Sequence, residues 1–386
     1  MRVRLALFVL IAAISATTVL AEEPTLSPDE LKTLIQKLGS AKFSEREAAT
    51  RRLALLDEIP PELQNAAKSG DAEVSRRAKS IVARILKRNE KRIIEKELAA
   101  INRMGFDRFV DRMVLSPGFA SEQRWQALVR ATEAVVDRAN KLGYTGTPLP
   151  QIHWADLPLI EALPQRYTQS SRVLIDGHTE RFTGFRTCFA VSSGSIERMS
   201  SIQDSILIVN GEIPRLNRVF NSLIICTGEI GPISNLRNSI VLTTGSFDGA
   251  SSAHNSLVQA NKMNRRPSGE ANVFVNLGKA PEGETSRYIE TEKSPLAALT
   301  LFSPRMLGLS VRVSNSEAWI DDVAAKSVFA TAGLRKGDQL LSIDGTKWSS
   351  DDEFRTLLRK KSAHSPATLT VRRGNKELSL PAKFEE

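Results

Sequence analysis

Five glycines at a constant interval of 17 residues, Gly177, Gly194, Gly211, Gly228 and Gly245, constrain this chain more than any other feature of it. In the same register Asp204, Asn221, Asn238, Asn255 and Asn272 form one column, and Ser171, Cys188, Ser205, Ser222, Ser239 and Ser256 form the next. Two apolar columns follow, Phe189, Ile206, Leu223, Ile240, Leu257 and then Ala190, Leu207, Ile224, Val241, Val258. A further apolar column stands two residues after the glycine (Ile196, Ile213, Ile230, Phe247), and another two before the asparagine (Phe185, Ile202, Val219, Leu236, Ala253). The period is too short for a pair of helices, and a β-sandwich has no reason to keep its spacing constant. The pattern therefore predicts a parallel β-solenoid in which each repeat is one coil stacked on the last. Equivalent residues then lie about 4.8 Å apart, so the asparagines can form a hydrogen-bonded ladder. The glycines are expected to supply the backbone conformation of a corner. About seven coils fit between Ser170 and Leu277, the last two degenerate as terminal repeats are.

The register also separates the two cysteines. Cys188 occupies the serine column, and Cys226 lies two coils later and four residues further along its coil. Two strand spacings by four residue rises put them on the order of 16 Å apart, too far for a disulfide. Both are expected to be free, and two cysteines are too few for a four-cysteine zinc site.

Of the 386 residues, 41% are hydrophobic and 25% charged, enough apolar material for two or three globular domains and incompatible with disorder or a polytopic membrane protein. At the amino end Arg2 and Arg4 precede an apolar run, Leu5 to Leu20, that closes with Val19, Leu20 and Ala21. This reads as a signal peptide, residues 1–21, cleaved before Glu22, which places the mature chain outside the cytoplasm, periplasmic or secreted. An uncleaved anchor is the alternative. The formal charge of +9 falls to +7 without Arg2 and Arg4, a weak attraction to anionic surfaces and too diffuse to name nucleic acid as a partner.

Residues 26–142 carry helical spacing. Leu31, Leu34, Ile35 and Leu38 follow Ser27-Pro28, an N-cap with proline at the first helical position. Further helices are expected from Ser44 to Leu56, from Pro60-Pro61, from about Ala72 past Ile94 towards Met104, and from Ser121 to Leu142. The second and fourth share a pattern at an offset of 29, Ala49 and Leu53 matching Ala78 and Val82. The stretches Phe43–Ala49 and Glu73–Ala78 resemble the inner helices of HEAT-type repeats, although two copies fall short of a stable solenoid and an ordinary helical bundle is the alternative. Residues 143–169 and 278–295 read as linkers.

The carboxyl-terminal residues 296–386 resemble a PDZ domain. The resemblance rests on the short helix within Val323–Ala332, the Ala332-Gly333-Leu334 step, the Gly337-Asp338 and Asp344-Gly345 turns, a helix Ser350–Lys360, and hairpin strands around Gly374-Asn375. It is closest to the PDZ modules appended to exported bacterial serine proteases and implies an α+β fold that takes an extended peptide as an added strand. The resemblance further implies that Leu307-Gly308-Leu309 offers N–H groups to a peptide's terminal carboxylate. Ser310 and Val311 would then lie along the added strand, and Phe354, Leu357 and Leu358 would line the pocket for its last side chain.

No protease accompanies this module. The four histidines, His153, His178, His254 and His364, are accompanied by no Gly-x-Ser-Gly-Gly-type or Gly-x-Ser-x-Gly nucleophile segment, and there is no zinc-hydrolase or phosphate-loop motif. No cofactor is expected. The sharpest enzymatic alternative is Glu212 and Glu229, stacked one coil apart near the separation that retaining glycosidases use. The bland reading of that column is a solvated face beside a corner. Arg215, Arg218 and Arg237 suggest that an acidic glycan or envelope surface meets one side of the coils. The sequence thus reads as a multidomain, non-enzymatic exported adaptor: helices, a rigid solenoid spacer, and a peptide-binding module.

Overall fold

A computed structural model describes residues 26–146, 149, 152–160, 167–265, 268–276, 287–290, 296, 300–314, 316–364 and 366–384. The expected signal peptide and most of the expected linker 278–295 lie outside them. The chain divides into two compact units, residues 1–90 and 91–386.

In the first unit helix α1 (Pro28–Lys37) opens with a reciprocal cap, Ser27 bonding the Glu30 backbone while Glu30 returns to the Ser27 backbone. It is followed by α2 (Phe43–Leu53), α3 (Pro61–Ala66) and the start of α4 (Ala72–Met104). Leu38, Leu53, Leu63, Ala78, Ile81 and Ile85 form their shared core. Arg77 ties α4 to α2 through Glu47 at 2.7 Å.

The second unit begins with the rest of α4. The chain then makes a break that the sequence reading did not foresee. Gly105 adopts φ 91, and the Phe302 backbone passes where a side chain would be, so α4 ends and a separate helix α5 (Phe106–Leu115) starts. Helix α6 (Glu122–Lys141) follows.

The solenoid winds next. One face of every coil joins a nine-stranded parallel sheet and a second joins a six-stranded parallel sheet. A third, narrower side is closed by single bridges such as Ile213 to Ile230 and by the pair Ser246–Phe247 and Lys262–Met263. Ala190, Leu207, Ile224, Val241 and Val258 fill the interior together with Ile213, Ile230, Phe185 and Val219.

Three details of the sequence reading are corrected. The stack has about six coils, not seven: the strands of the nine-stranded sheet from Arg172–Ile175 to Val273–Asn276 bound six turns of the chain, and the second sheet has six strands. The last coil is one residue short: Leu257 pairs with Val273, which moves Asn272 out of the asparagine column and into the serine column. The corner conformation also belongs to a different column. Thr187, Asp204, Asn221, Asn238 and Asn255 have φ between 46 and 56, whereas of the five glycines only Gly177 has positive φ. The other four are glycine because stacked coils touch there; a Cβ on Gly211 would lie 2.6 Å from the Ser195 backbone nitrogen.

Asparagine suits the corner because its short polar side chain tolerates the left-handed region and bonds its neighbours. Asn221 Nδ2 donates to Asp204 Oδ1 at 3.0 Å and Asn238 Nδ2 to Asn221 Oδ1 at 3.3 Å. The serine column makes a second ladder. The backbone N–H of Ser205 donates to Ser222 Oγ, that of Ser222 to Ser239 Oγ, and that of Ser239 to Ser256 Oγ, and Cys188 joins the ladder through its N–H. Both cysteines are free and buried, and burial pushes the Cys226 thiol up to about 12.

The solenoid is not a free-standing spacer. The outward side of its nine-stranded sheet, Phe189, Ile206, Ile208, Leu223, Ile225 and Ile240, forms one core with α5 and α6. Trp125 of α6 meets the Phe189 ring edge-on at 5.2 Å. Burying a large aliphatic side chain contributes about 1.5–3 kcal/mol, so this covered face is a major element of the fold. Strands Leu159–Ile160 and Arg287–Glu290 extend the same sheet into both stretches read as linkers.

Candidate peptide-binding site

The C-terminal sheet is antiparallel, with five strands in the order Leu309–Ser314, Glu317–Val323, Gln339–Ile343, Ala367–Arg373 and Lys376–Ala382. Helix α7 (Val328–Thr331) and helix α8 (Asp351–Ala363) complete it around a core that includes Phe329, Ile343, Phe354 and Leu369. Ser350 caps α8 by accepting the Glu353 N–H at 3.1 Å. Asp338, in the Gly337-Asp338 turn, receives both arms of the Arg373 guanidinium at 2.7 Å.

Strand Leu309–Ser314 is an edge. It pairs with Glu317–Val323 on one side, and among the described residues no strand pairs with its other side. A register shift between Ser310 and Val311 bends it. It starts directly after a turn of 3-10 helix, Pro304–Leu307, that ends at Gly308 with φ 76. Two constraints make that position glycine: the left-handed φ, and neighbours that would sit 2.7 Å (Ser327 Cβ) and 2.9 Å (Ala324 Cβ) from an added Cβ. The Gly308 carbonyl accepts from Ala324 N–H at 2.8 Å, and its own N–H donates to Arg305 O at 3.0 Å. That donor is thus held inside the turn.

The residues expected to bind peptide fall into two groups. Leu307, Ser310, Val311 and Leu357 are half-buried at the margin of the domain core. Leu309, Phe354 and Leu358 are at most 1% exposed and belong to that core. Phe354 packs against Trp348, ring centres 4.8 Å apart. Their contribution is to hold α8 in place, and Leu357 is the member of the helical trio with surface left to offer.

The sequence reading missed how α8 is held from behind. Arg359, 5% exposed, reaches Asp111 of α5 at 2.6 Å and Asp107 at 3.4 Å. Asn210 of the solenoid donates to Asp111 Oδ1 at 3.0 Å and to the Asp107 carbonyl at 2.7 Å. Phe302 N–H donates to Asp107 Oδ1 at 2.7 Å. Burial pushes the Asp111 carboxyl up, while Arg359 and Asn210 pull it back. Burial also opposes the Arg359 charge, but Asp111 and Asp107 outweigh it and raise its pKa. One signal for this network was present: Asp107, Arg108, Asp111 and Arg112 recur at helical spacing inside an otherwise apolar segment, which charged residues enter only with partners.

The alternative sites stand apart from this groove. Glu212 and Glu229 are both exposed. His178 meets Glu197 at 3.9 Å, also at the surface. Among the described residues no cluster of His, Cys, Asp or Glu could hold a metal ion, and no helix is long and apolar enough to cross a membrane.

Residues 306–383 match the family model of the PDZ domain. No curated protein matches the chain. The C-terminal region is therefore a PDZ domain, a module suited to binding peptides or proteins, behind a parallel β-solenoid.

Proposed function

We propose that the chain is a non-enzymatic adaptor, exported to the periplasm or beyond by its amino-terminal leader, whose PDZ domain takes an extended segment of another polypeptide as a sixth strand. The observation that supports this most is that no strand among the described residues pairs with the outer side of Leu309–Ser314, since an open edge is a template for main-chain pairing. With the Gly308 N–H engaged by Arg305, strand addition and not carboxylate capture carries the reading. Leu307, Val311 and Leu357 would supply the side-chain contacts. The helical region of residues 26–142, in which Phe43–Ala49 and Glu73–Ala78 resemble the inner helices of HEAT-type repeats, would add a further docking surface.

The test uses residues 22–386 and a library of C-terminal peptides, measured by fluorescence anisotropy. A selected peptide should lose roughly tenfold or more in affinity when amides in one alternating register are N-methylated, and little in the other register. Indifference to methylation in both registers would remove strand addition, and an empty selection would remove the peptide reading.

A second reading is favoured by the outer side of the six-stranded sheet. Arg186, Arg198, Arg215, Arg218 and Arg237 are exposed there, and among the described residues no ion pair joins them to a carboxylate. Arg198 and Arg215 are register partners on adjacent strands, about 4.8 Å apart by strand spacing. Such a row fits a linear acidic glycan. Replacing Arg215, Arg218 and Arg237 by glutamine should abolish retention on immobilised polygalacturonate. Release of reducing ends that stops on Glu212→Gln or Glu229→Gln would turn this reading into an enzyme.

A further inference from the structure

A cleft of about 920 Å³ opens at the start of the edge strand, with Leu307 and Gly308 in its wall. Its charged lining has one sign: Arg103, Arg108, Lys326 and Lys383 face it, and among the described residues no carboxylate does. Three of these cations lie at the surface, but Arg108 is only 4% exposed. Its Nε and Nη2 donate to the Ser362 carbonyl at 3.0 and 2.5 Å, and no carboxylate among the described residues pairs with it. Burial, aided by the neighbouring Arg112, pushes the Arg108 pKa down to about 10, the direction expected of a cation removed from water without a counter-charge. A buried charge of this kind is normally matched; on the cleft side the Phe384 ring centre lies 6.0 Å from the Arg108 guanidinium, and every charged group there among the described residues is itself cationic. Met306, Val328 and Phe384 give the same cleft an apolar floor.

We propose that this cleft binds the acidic side chains of an extended polypeptide that continues past the PDZ strand-addition site. The class of ligand rests on the peptide-binding reading and deepens it. A strand added antiparallel to Leu309–Ser314 points its carboxyl end at Gly308, so residues beyond the paired stretch arrive where the four cations converge. The partner is then read twice: by main-chain pairing along the edge, and by carboxylates, with apolar residues between them, in the cleft. The module would accept internal segments as well as chain ends.

Two fluorescein-labelled hexapeptides amidated at their carboxyl ends, one alternating Glu and Leu and one alternating Gln and Leu, separate the two contributions on residues 22–386. The acidic probe should bind roughly tenfold more tightly at low salt. That advantage should vanish in Lys326→Ser/Lys383→Ser, whose two exposed sites leave the fold intact, and in Arg108→Gln, while Arg108→Lys keeps part of it. The neutral probe should not respond to the lysine pair. Equal binding of the two probes, or no binding of the acidic one, overturns the cleft assignment and leaves the peptide reading standing. Binding of the acidic probe alone, lost with the lysine pair, keeps the cleft and removes strand addition. If the lysine pair instead abolished sedimentation with phosphatidylglycerol vesicles and left the acidic probe bound, the cleft would be a lipid site and the proposal wrong.

Discussion

The two broad faces of the solenoid are built by the same repeat and end in opposite environments. Along the nine-stranded sheet, Phe189–Ser192, Ile206–Val209 and Leu223–Cys226 are buried at all four positions, because their inward residues fill the coil and their outward residues meet α5 and α6. Along the six-stranded sheet, Arg215–Phe220 buries only Leu216 and Val219, and its outer side is arginine, asparagine and solvent. A strand buried on both sides reads as a continuous apolar run, whereas one facing water keeps its polar positions. The difference teaches where the rest of the chain must go: onto the face that water cannot be left to cover.

The largest effect should come from placing a charge on the covered face. Ile208→Asp puts an unpaired carboxylate at a position 1% exposed, and should cost more than about 4 kcal/mol, enough to unfold the second unit in chemical denaturation. Arg218→Asp on the open face should stay within about 0.5 kcal/mol. Equal costs would mean that the helices do not cover the sheet. A gentler contrast is Leu223→Ala against Arg218→Ala. The first removes a fully buried side chain shared by the sheet and the helical layer and should cost about 3 kcal/mol; the second should be near neutral. The smallest measurable effect belongs to the corner before each covered strand. Asn221→Ala, at φ 46, should cost about 1–2 kcal/mol, and Asn221→Gly clearly less, since glycine accepts the left-handed region but loses the Asp204 rung. A glycine variant as unstable as the alanine one would assign the cost to the ladder and not to the backbone.

The PDZ domain was legible in the sequence because its turns need particular residues. Gly308 takes φ 76, Gly337 takes φ 88 and Asp344 takes φ 48, and the Gly337-Asp338 and Asp344-Gly345 pairs mark those turns in the chain. The peptide-lining residues were legible only in part. Helical spacing puts Phe354, Leu357 and Leu358 on neighbouring positions, but it does not say which of them the sheet below absorbs, and the sheet takes Phe354 and Leu358. The charged pattern of Asp107, Arg108, Asp111 and Arg112 announces that partners exist, but which partners Arg108 and Arg359 take was illegible, since a lone Arg359 in a chain with 53 basic residues carries no mark of burial. Their partners, Ser362, Asp107 and Asp111, lie about 250 residues away, a separation no local pattern spans.

By itself the sequence determined the winding of the midsection and the identity of the C-terminal fold, because stacking coils and tight turns place steric demands on each residue that recur at fixed intervals. It did not determine that the first of the two adjacent apolar columns, that of Phe189, is outward-facing and covered, nor that a helix broken off at Gly105 clamps the PDZ domain through Arg359. Those outcomes were decided by the tertiary structure, since hydrophobic burial is non-directional: it requires that Phe189, Ile206 and Leu223 be covered, and leaves the choice of cover to whichever segment can reach them with its own polar groups paired.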